Sequence, residues 1–317
     1  MFLSCGDCLF DIFAGPQEGG DVASVSLSGR VGGSPLNVAL GLARLGHRAA
    51  FLTKMSKDLF GQRIVAFMDR ESIDRRFLVE TTRSTTLAMV SLKADGSPRY
   101  DFYIEGTADR SIEIPDLPAS LPEEVRGIHF SSYSTVTEPT ASSLQHLIER
   151  ESGKRLISYD LNVRLAVVPD LDIWRDRVKR IVPLAGLVKA SEEDLEALFP
   201  GVPVEDILAD WIAQGAELAI VTRGERGAVA LTRAGTKAEA PGRSIQVVDT
   251  VGAGDTFQAA FLAGLAEADR LRDLGSLGGD ELEGLLGFAV GAAAVTCTRQ
   301  GADLPRRADL GLSPLAR

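Results

Sequence analysis

The chain has 317 residues, 45% of them hydrophobic and 25% charged, with a formal net charge of −10. That length holds one large α/β domain or two smaller ones. The acidic balance argues against a nucleic-acid or anionic-membrane partner, although it leaves room for a local basic cleft. Three cysteines, Cys5, Cys8 and Cys297, are too few for a disulfide scaffold and suit a reducing compartment. Met1 to Ile12 lacks a basic stretch and is interrupted by Asp7 and Asp11. The expectation is therefore a cytoplasmic protein without a targeting segment. The longest apolar run, Leu285 to Cys297, is shorter than the roughly 18 residues a membrane helix needs, and its Ala/Gly content suits a tightly packed buried helix.

In chain order, Phe2 to Phe13 reads as a first strand with an excursion after it. Val22 to Leu27 alternates and predicts a short strand. Gly32-Gly33-Ser34-Pro35-Leu36-Asn37 leads into a helical run, Val38 to Leu45, stopped by Gly46. Ala49 to Thr53 predicts a strand and Leu59 to Glu71 a helix. Thr85 to Leu92 and Arg99 to Glu105 read as two strands of a hairpin around Asp95-Gly96-Ser97-Pro98.

From about Gly127 the pattern becomes strand–helix alternation. Strands are predicted at Gly127 to Ser132, Leu156 to Leu161, Leu187 to Ala190, Leu218 to Thr222 and Ala228 to Thr232. Helices are predicted at Ala141 to Glu151 and Glu192 to Leu198. This alternation argues for a parallel sheet covered on both faces. No internal repeat or low-complexity segment interrupts it.

Ser244 to Val248 reads as a strand leading into Asp249-Thr250-Val251-Gly252-Ala253-Gly254-Asp255-Thr256-Phe257, and a buried helix, Gln258 to Ala266, leaves it. A strand, a tight glycine turn and a helix aim several backbone N–H groups at one point, where the helix dipole adds positive charge. A carboxylate, Asp255, stands in this anion site. The residues alone allow two readings. Asp255 caps a structural turn, or it takes a proton from an alcohol while the turn holds the phosphate being moved. Two other phosphate motifs fail. Gly41 to Gly46 has P-loop spacing, but His47 follows it; Gly252-Ala253-Gly254 is followed by Phe257 where a dinucleotide fingerprint needs glycine.

The Asp249 to Phe257 stretch resembles the C-terminal motif of the ribokinase-like (PfkB) carbohydrate kinases. Gly32 to Ala39, continuing to Leu45-Gly46, resembles their N-terminal motif. Asp160-Leu161-Asn162-Val163-Arg164 and Thr222-Arg223-Gly224-Glu225-Arg226-Gly227 fall between these in the family's order, and Arg299-Gln300-Gly301-Ala302 falls after them. The resemblance covers nearly the whole chain. It implies that Asp255 is the general base and that the backbone of Gly252, Ala253 and Gly254 forms the anion hole for the γ-phosphoryl. It places Asp11, Gly32, Gly33 and Asn37 on sugar hydroxyls, with Arg164 near the phosphates or substrate; Asp7 is an alternative to Asp11.

On the nucleotide side it points to Ser191, Thr222, Gly224 and Gly227. Ser191-Glu192-Glu193-Asp194 stands where many members have Asn-x-x-Glu acting through water on Mg²⁺, so either Asp194 or Glu193 takes that role, or the acidic turn merely complements the helix dipole. A monovalent-cation site, filled by K⁺, would use carbonyls of Asp249, Val251, Thr296 and Gly301. Cys5-Gly6-Asp7-Cys8 has redox spacing but sits inside a strand pattern, which favours two buried thiols. His47, His129 and His146 share no ligand spacing.

The expected fold is a three-layer α/β/α sandwich of residues 1–317 with a mostly parallel sheet. A small β-sheet lid from about 11–33 and 83–108 would also serve a homodimer, with Tyr100, Phe102 and Tyr103 on its surface. The expected activity is ATP-dependent phosphorylation of a sugar's primary hydroxyl with ATP, Mg²⁺ and K⁺. The Gly-Gly-Ser-Pro-Leu-Asn, Asp-x-Asn-x-Arg, Lys189-Ala190-Ser191 and Phe102 to Gly106 segments resemble the fructokinase branch. His129-Phe130-Ser131-Ser132 departs from the usual Gly-Ser pair at the sugar pocket. Ribose, 2-keto-3-deoxygluconate or a nucleoside are the other substrates considered, and a binding regulator without turnover is the reading outside catalysis.

Overall fold

The computed structural model describes residues 1–14, 23–92 and 98–315, without the side chains of 92 and 98–100. β1 (Phe2–Cys5) is buried along its whole length. It ends at Gly6, whose φ of +137° turns the chain out of the sheet. The segment Phe2 to Phe13 is therefore two strands in two sheets. β2 (Leu9–Ala14) pairs antiparallel with β3 (Leu27–Gly32). The strand expected at Val22 to Leu27 lies later because pairing Leu9 with Gly32 fixes the register; Val22 itself lies outside the described residues.

α1 (Ser34–Arg44) starts after Gly33, at φ +112°, with Pro35 in its first turn. β4 (Ala49–Ser56), α2 (Leu59–Arg70) and β5 (Asp74–Thr81) follow. β6 (Thr86–Leu92) and β7 (Pro98–Tyr103) form the expected antiparallel hairpin, whose turn lies largely outside the described residues. β6 joins β2 in parallel, so the small sheet runs β3-β2-β6-β7.

The second half alternates as expected. β8 (Gly127–Ser131), α3 (Thr140–Glu151), β9 (Leu156–Asp160), α4 (Leu171–Ile181), β10 (Leu187–Ser191), α5 (Glu192–Leu198), α6 (Val204–Gln214) and β11 (Leu218–Thr222) follow one another. β12 (Ala228–Thr232) and β13 (Lys237–Ala240) turn back antiparallel at the edge. α7 (Ala253–Glu267) and α8 (Gly279–Cys297) close the chain. Among the described residues the large sheet has nine strands, ordered β13-β12-β11-β10-β9-β8-β1-β4-β5, and it is parallel from β5 to β11.

Two apolar cores lie on its two faces. One joins Leu36 and Val38 of α1 to Phe261 of α7 and Leu286 of α8. The other joins Leu144, Trp174 and Trp211 of α3, α4 and α6. The three-layer sandwich with a second, smaller sheet is thus borne out. No helix among the described residues is long and apolar enough to cross a membrane.

One expected strand is absent. Ser244 to Val248 forms no ladder, and Val247 and Val248 are exposed. The segment pairs instead with the end of α8, where the Cys297 carbonyl accepts from Val248 N–H at 2.8 Å and from Asp249 N–H at 3.3 Å.

The order of strands decides where a ligand can sit. Successive strands run outward from β1 to β4 and β5, then return to β8 on its other side. At such a reversal the loops at the strands' C-terminal ends diverge and leave a crevice. Gly6, Ser131 and Asp160 lie at these ends. α1 and α7 cross over the crevice in close contact, because a Cβ on Gly41 would come 2.5 Å from Ala259 Cβ and 2.8 Å from Leu304 Cδ2. Overpacking this contact in Gly41→Leu should cost about 2 kcal/mol, measured as a drop in urea-unfolding free energy with an unchanged m value.

Candidate active site

Gly252 begins α7 with φ +80°, a left-handed conformation open to glycine. A Cβ there would also lie 2.7 Å from Ala302 Cβ. The first residues of α7 have N–H groups without an acceptor one turn earlier. Of the glycine turn, Ala253 N–H is used by the Thr250 carbonyl at 3.2 Å, whereas Gly254 N–H has no backbone acceptor among the described residues. Asp255 sits in this first turn and is buried. Its Oδ1 accepts from Ser34 Oγ at 2.7 Å and its Oδ2 from Asn37 Nδ2 at 2.8 Å. Ser131 Oγ lies 3.0 Å from Ser34 Oγ and extends the chain of hydroxyls to the end of β8.

Two further contacts set how α7 stands on the sheet. Gln258 Nε2 donates to Ser158 Oγ at 2.7 Å, and Ser158 meets His129 Nδ1 at 3.1 Å. Burial, helped by the Lys189 charge, pushes the His129 pKa down to about 3, so this imidazole is neutral. Thr256 Oγ1 donates to the Gly252 carbonyl and lies 2.8 Å from Thr296 Oγ1, binding the turn to the end of α8.

Below the turn is a buried ion pair, Lys189 Nζ to Asp160 Oδ2 at 2.7 Å. Burial lifts Asp160 to about 6 against the pull of Lys189. A Cβ on Gly254 would stand 3.6 Å from Lys189 Nζ, so this cation lies directly behind the anion turn. Asp160 Oδ1 has no partner among the described residues.

The sugar-side residues expected from the sequence converge here. Gly33 must lack a side chain, since a Cβ would meet the Asp7 carbonyl at 2.6 Å. A Cβ on Gly32 would strike Asp11 Oδ2 at 2.3 Å, which puts the Asp11 carboxyl against the glycine pair. Burial raises Asp11 to about 6; Arg164 lowers it and Asp255 raises it, so all three share one field. Arg164 itself is exposed and follows Asn162, held at φ +41°. Asp7 is buried, with Oδ1 unpartnered among the described residues, and burial with the charge of Asp109 raises it to about 8. Asp109 is held by hydroxyls of Thr86, Thr107 and Tyr133.

Ser191 and Thr222 are register partners at the ends of β10 and β11, and the Thr222 to Gly227 loop leaves beside them. Gly224 has open space around it, whereas Gly227 is packed on the Ala240 carbonyl, where a Cβ would come within 1.9 Å. Asp194 caps α5. Its Oδ2 accepts from Ser191 N–H and Oγ, and its Oδ1 accepts from Val163 N–H. A carboxylate so committed has little capacity left for a metal-bound water, while Glu193 beside it is exposed.

Asp249 joins the other two loops, with Oδ1 on Val251 N–H and Oδ2 on Gly301 N–H. Among the described residues the carbonyls of Asp249 and Val251 take no backbone hydrogen bond outside helices and strands, while those of Thr296 and Gly301 accept from Arg299 and Asp303. Neutral carbonyls of this kind suit a large monovalent cation. No group of three or more His, Cys, Asp or Glu among the described residues could hold a metal ion.

A model of the pfkB family carbohydrate kinases matches residues 2–309. The chain belongs to the PfkB family of carbohydrate kinases. It is 34% identical to a fructokinase of Rhizobium leguminosarum bv. trifolii over 84% of this chain and 79% of that one. It is 32% identical to probable fructokinase-5 of Arabidopsis thaliana over 98% and 95%. Among solved structures, a fructokinase with bound ATP from Xylella fastidiosa superposes with a TM-score of 0.87 at 25% identity, covering 98% of this chain and 96% of that one. A Vibrio cholerae fructokinase double mutant described with fructose, ADP and potassium ion superposes with a TM-score of 0.83 at 26% identity over 98% and 96%.

Sequence reasoning about this PfkB kinase quoted Ser34, Ser131, Asp160 and Lys189 within its motifs, with Ser131 at the sugar pocket, but gave none of the four its contact with Asp255 or the glycine turn. Ser34 and Lys189 lie within quoted motifs, but only the fold shows their side chains facing Asp255 and Gly254.

Asp7 supplies a pH signature. Its pKa is higher folded than unfolded, so between about 4 and about 8 the native state holds the extra proton and stability falls as pH rises. Asp7→Asn removes that proton and should be more stable, relative to the parent, at pH 8 than at pH 5, as measured by urea unfolding at both. For the ion pair, Lys189→Met should lower kcat by about 10²-fold or more. Steady-state kinetics that leave kcat unchanged would refute a role for this cation in the reaction.

Proposed function

We propose that this PfkB kinase transfers the γ-phosphoryl of ATP to the primary hydroxyl of D-fructose, forming fructose 6-phosphate. The observation that carries the reading is Asp255. A buried carboxylate stands at a helix N-terminus, oriented through both oxygens by Ser34 and Asn37. It is placed to accept the hydroxyl proton as the oxygen attacks phosphorus, and it needs no movement to do so. Gly252, Ala253 and Gly254 line the anion turn, with Gly254 N–H and Lys189 behind it available to the charge that develops on the phosphoryl oxygens.

Asp11, Gly32, Gly33 and Asn37 form the hydroxyl-binding side, with Arg164 at its rim. Asn37 would divide its amide between Asp255 and the substrate, since among the described residues only one of its two N–H groups is used. Fructose is favoured because the relatives reported above are fructokinases and the structural neighbour from Vibrio cholerae is described with fructose bound.

The nucleotide would lie over Ser191, Thr222, Gly224 and Gly227, with the exposed apolar side chains of Ile245, Val247 and Val248 available to its base. Mg²⁺ would offset the phosphate charge, with Glu193 better disposed than Asp194 to hold its water shell. K⁺ would sit among the carbonyls of Asp249, Val251, Thr296 and Gly301, where it would strengthen the anion turn. The small sheet would act as a lid that excludes water. Its exposed Leu27 and Tyr103, with Val25 just ahead of β3, offer a second copy an apolar surface for a homodimer.

Asp255→Asn should reduce kcat by about 10³-fold while sugar KM stays within a few-fold; turnover near that of the parent would refute the base assignment. A panel of fructose, ribose, 2-keto-3-deoxygluconate and a nucleoside with ATP, Mg²⁺ and K⁺ should give the highest kcat/KM for fructose. Another sugar turning over while fructose stays at background would overturn the substrate.

A further inference from the structure

A cavity of about 610 Å³ lies between α2, the β2–β3 ribbon and the loop at Gln300 to Asp303. Asp11, Val251 and Gly301 also line it, so it adjoins the crevice described above; neither Asp255 nor Asn37 does, and its far wall is α2. Its size falls in the range of small-molecule sites. One wall is a stripe along α2, with Phe60, Arg63, Phe67 and Arg70 all on the cavity. The spacing of three, four and three residues keeps them on one helix face. Opposite stand Phe10 and Phe13 of β2. The Phe10 and Phe60 rings meet at 4.9 Å, tilted by 52°, and the Arg70 guanidinium lies 5.3 Å from the Phe67 ring centroid.

The charges of this cavity do not cancel. Arg30, Arg44, Arg63 and Arg70 face it against the carboxylates of Asp11 and Asp303. Arg44 is met by Glu71 and Asp303. Among the described residues Arg70 has one ion pair, a 3.7 Å approach to Glu71, which already pairs with Arg44 and Arg306. Arg30 donates to the carbonyl and side-chain oxygens of Gln300, which are neutral acceptors. Arg63 makes no hydrogen bond or ion pair among the described residues. A basic, aromatic-walled cavity thus stands out in a chain of net charge −10.

We infer that this cavity is a second ligand site, for a small phosphorylated molecule carrying a planar or apolar portion. Guanidinium forks match a phosphoryl group bidentately, which a point charge does not. The phosphoryl would bridge Arg63 and Arg70 and draw on Arg30, while the ring or apolar part lies against Phe10, Phe60 and Phe67. A purely apolar ligand would leave the arginines without a partner, and a sugar without phosphate would leave both walls unused.

The probe is phenyl phosphate, titrated calorimetrically into the full chain with ADP at saturation to fill the nucleotide site. One phenyl phosphate should bind per chain. The exposed double variant Arg63→Glu/Arg70→Glu should weaken it at least tenfold while kcat and KM for the kinase reaction hold. Arg63→Ala should weaken it less and in the same direction. No binding to the parent, or unchanged affinity in the double variant, overturns the site. Benzoate binding as tightly as phenyl phosphate overturns the phosphoryl assignment. If the parent sediments as a dimer and the double variant as a monomer, the cavity is an interface between copies and the inference fails.

Discussion

The structure depends on one buried contact, the Asp255 carboxylate held by Ser34 and Asn37 where α1 and α7 begin. Removing a carboxylate from water costs several kcal/mol unless hydrogen bonds and favourable dipoles replace its hydration. Here two side-chain donors and the positive end of α7 supply that replacement. The contact requires the two helices to run unusually close, and Gly41 and Ala259 permit it. It also requires α7 to keep its rotation over the sheet, which Gln258 to Ser158 and Thr256 to Thr296 secure from either side. The hydrogen bonds that hold this carboxylate and the packing that holds the domain are therefore one arrangement.

Around that contact the protein gathers groups that are costly to bury. Asp7, Asp11 and Asp160 all have pKa values raised first by burial. Lys189 inside and Arg164 at the rim keep the balance of charge near the reacting region. Asp7 and Asp11 lie against the glycine pair Gly32-Gly33, while Lys189, paired with Asp160, lies behind the Gly252 to Gly254 turn. The switch in strand order beside β1 is what leaves room for both.

Much of this was legible from residues alone. Alternation from Gly127 onward predicted a parallel sheet between helices, and the glycine run ahead of Asp255 predicted a tight turn opening a buried helix. Elements governed by long-range pairing were harder. The Phe2 to Phe13 run looked like one strand because its apolar pattern is continuous; the break depends on Gly6 taking a positive φ and on a second sheet waiting to receive Leu9 to Ala14. Ser244 to Val248 has the composition of a strand and forms none; its end is held on the Cys297 carbonyl at the close of α8. Asp194 looked like a metal-side acid from its place in a motif, yet its oxygens are used in capping α5 and holding Val163.

By itself, the sequence determined the fold class, the family and the turn-then-helix form of the Asp249 to Phe257 stretch, since periodicity, glycine placement and motif order are properties of neighbours along the chain. Only the tertiary structure decided which side chains meet. Ser34 reaches Asp255 across 221 positions, Lys189 lies behind Gly254, and the arginines of α2 face the phenylalanines of β2. Such contacts arise from helix crossing and sheet order, which bring together residues whose own neighbours carry no trace of the meeting.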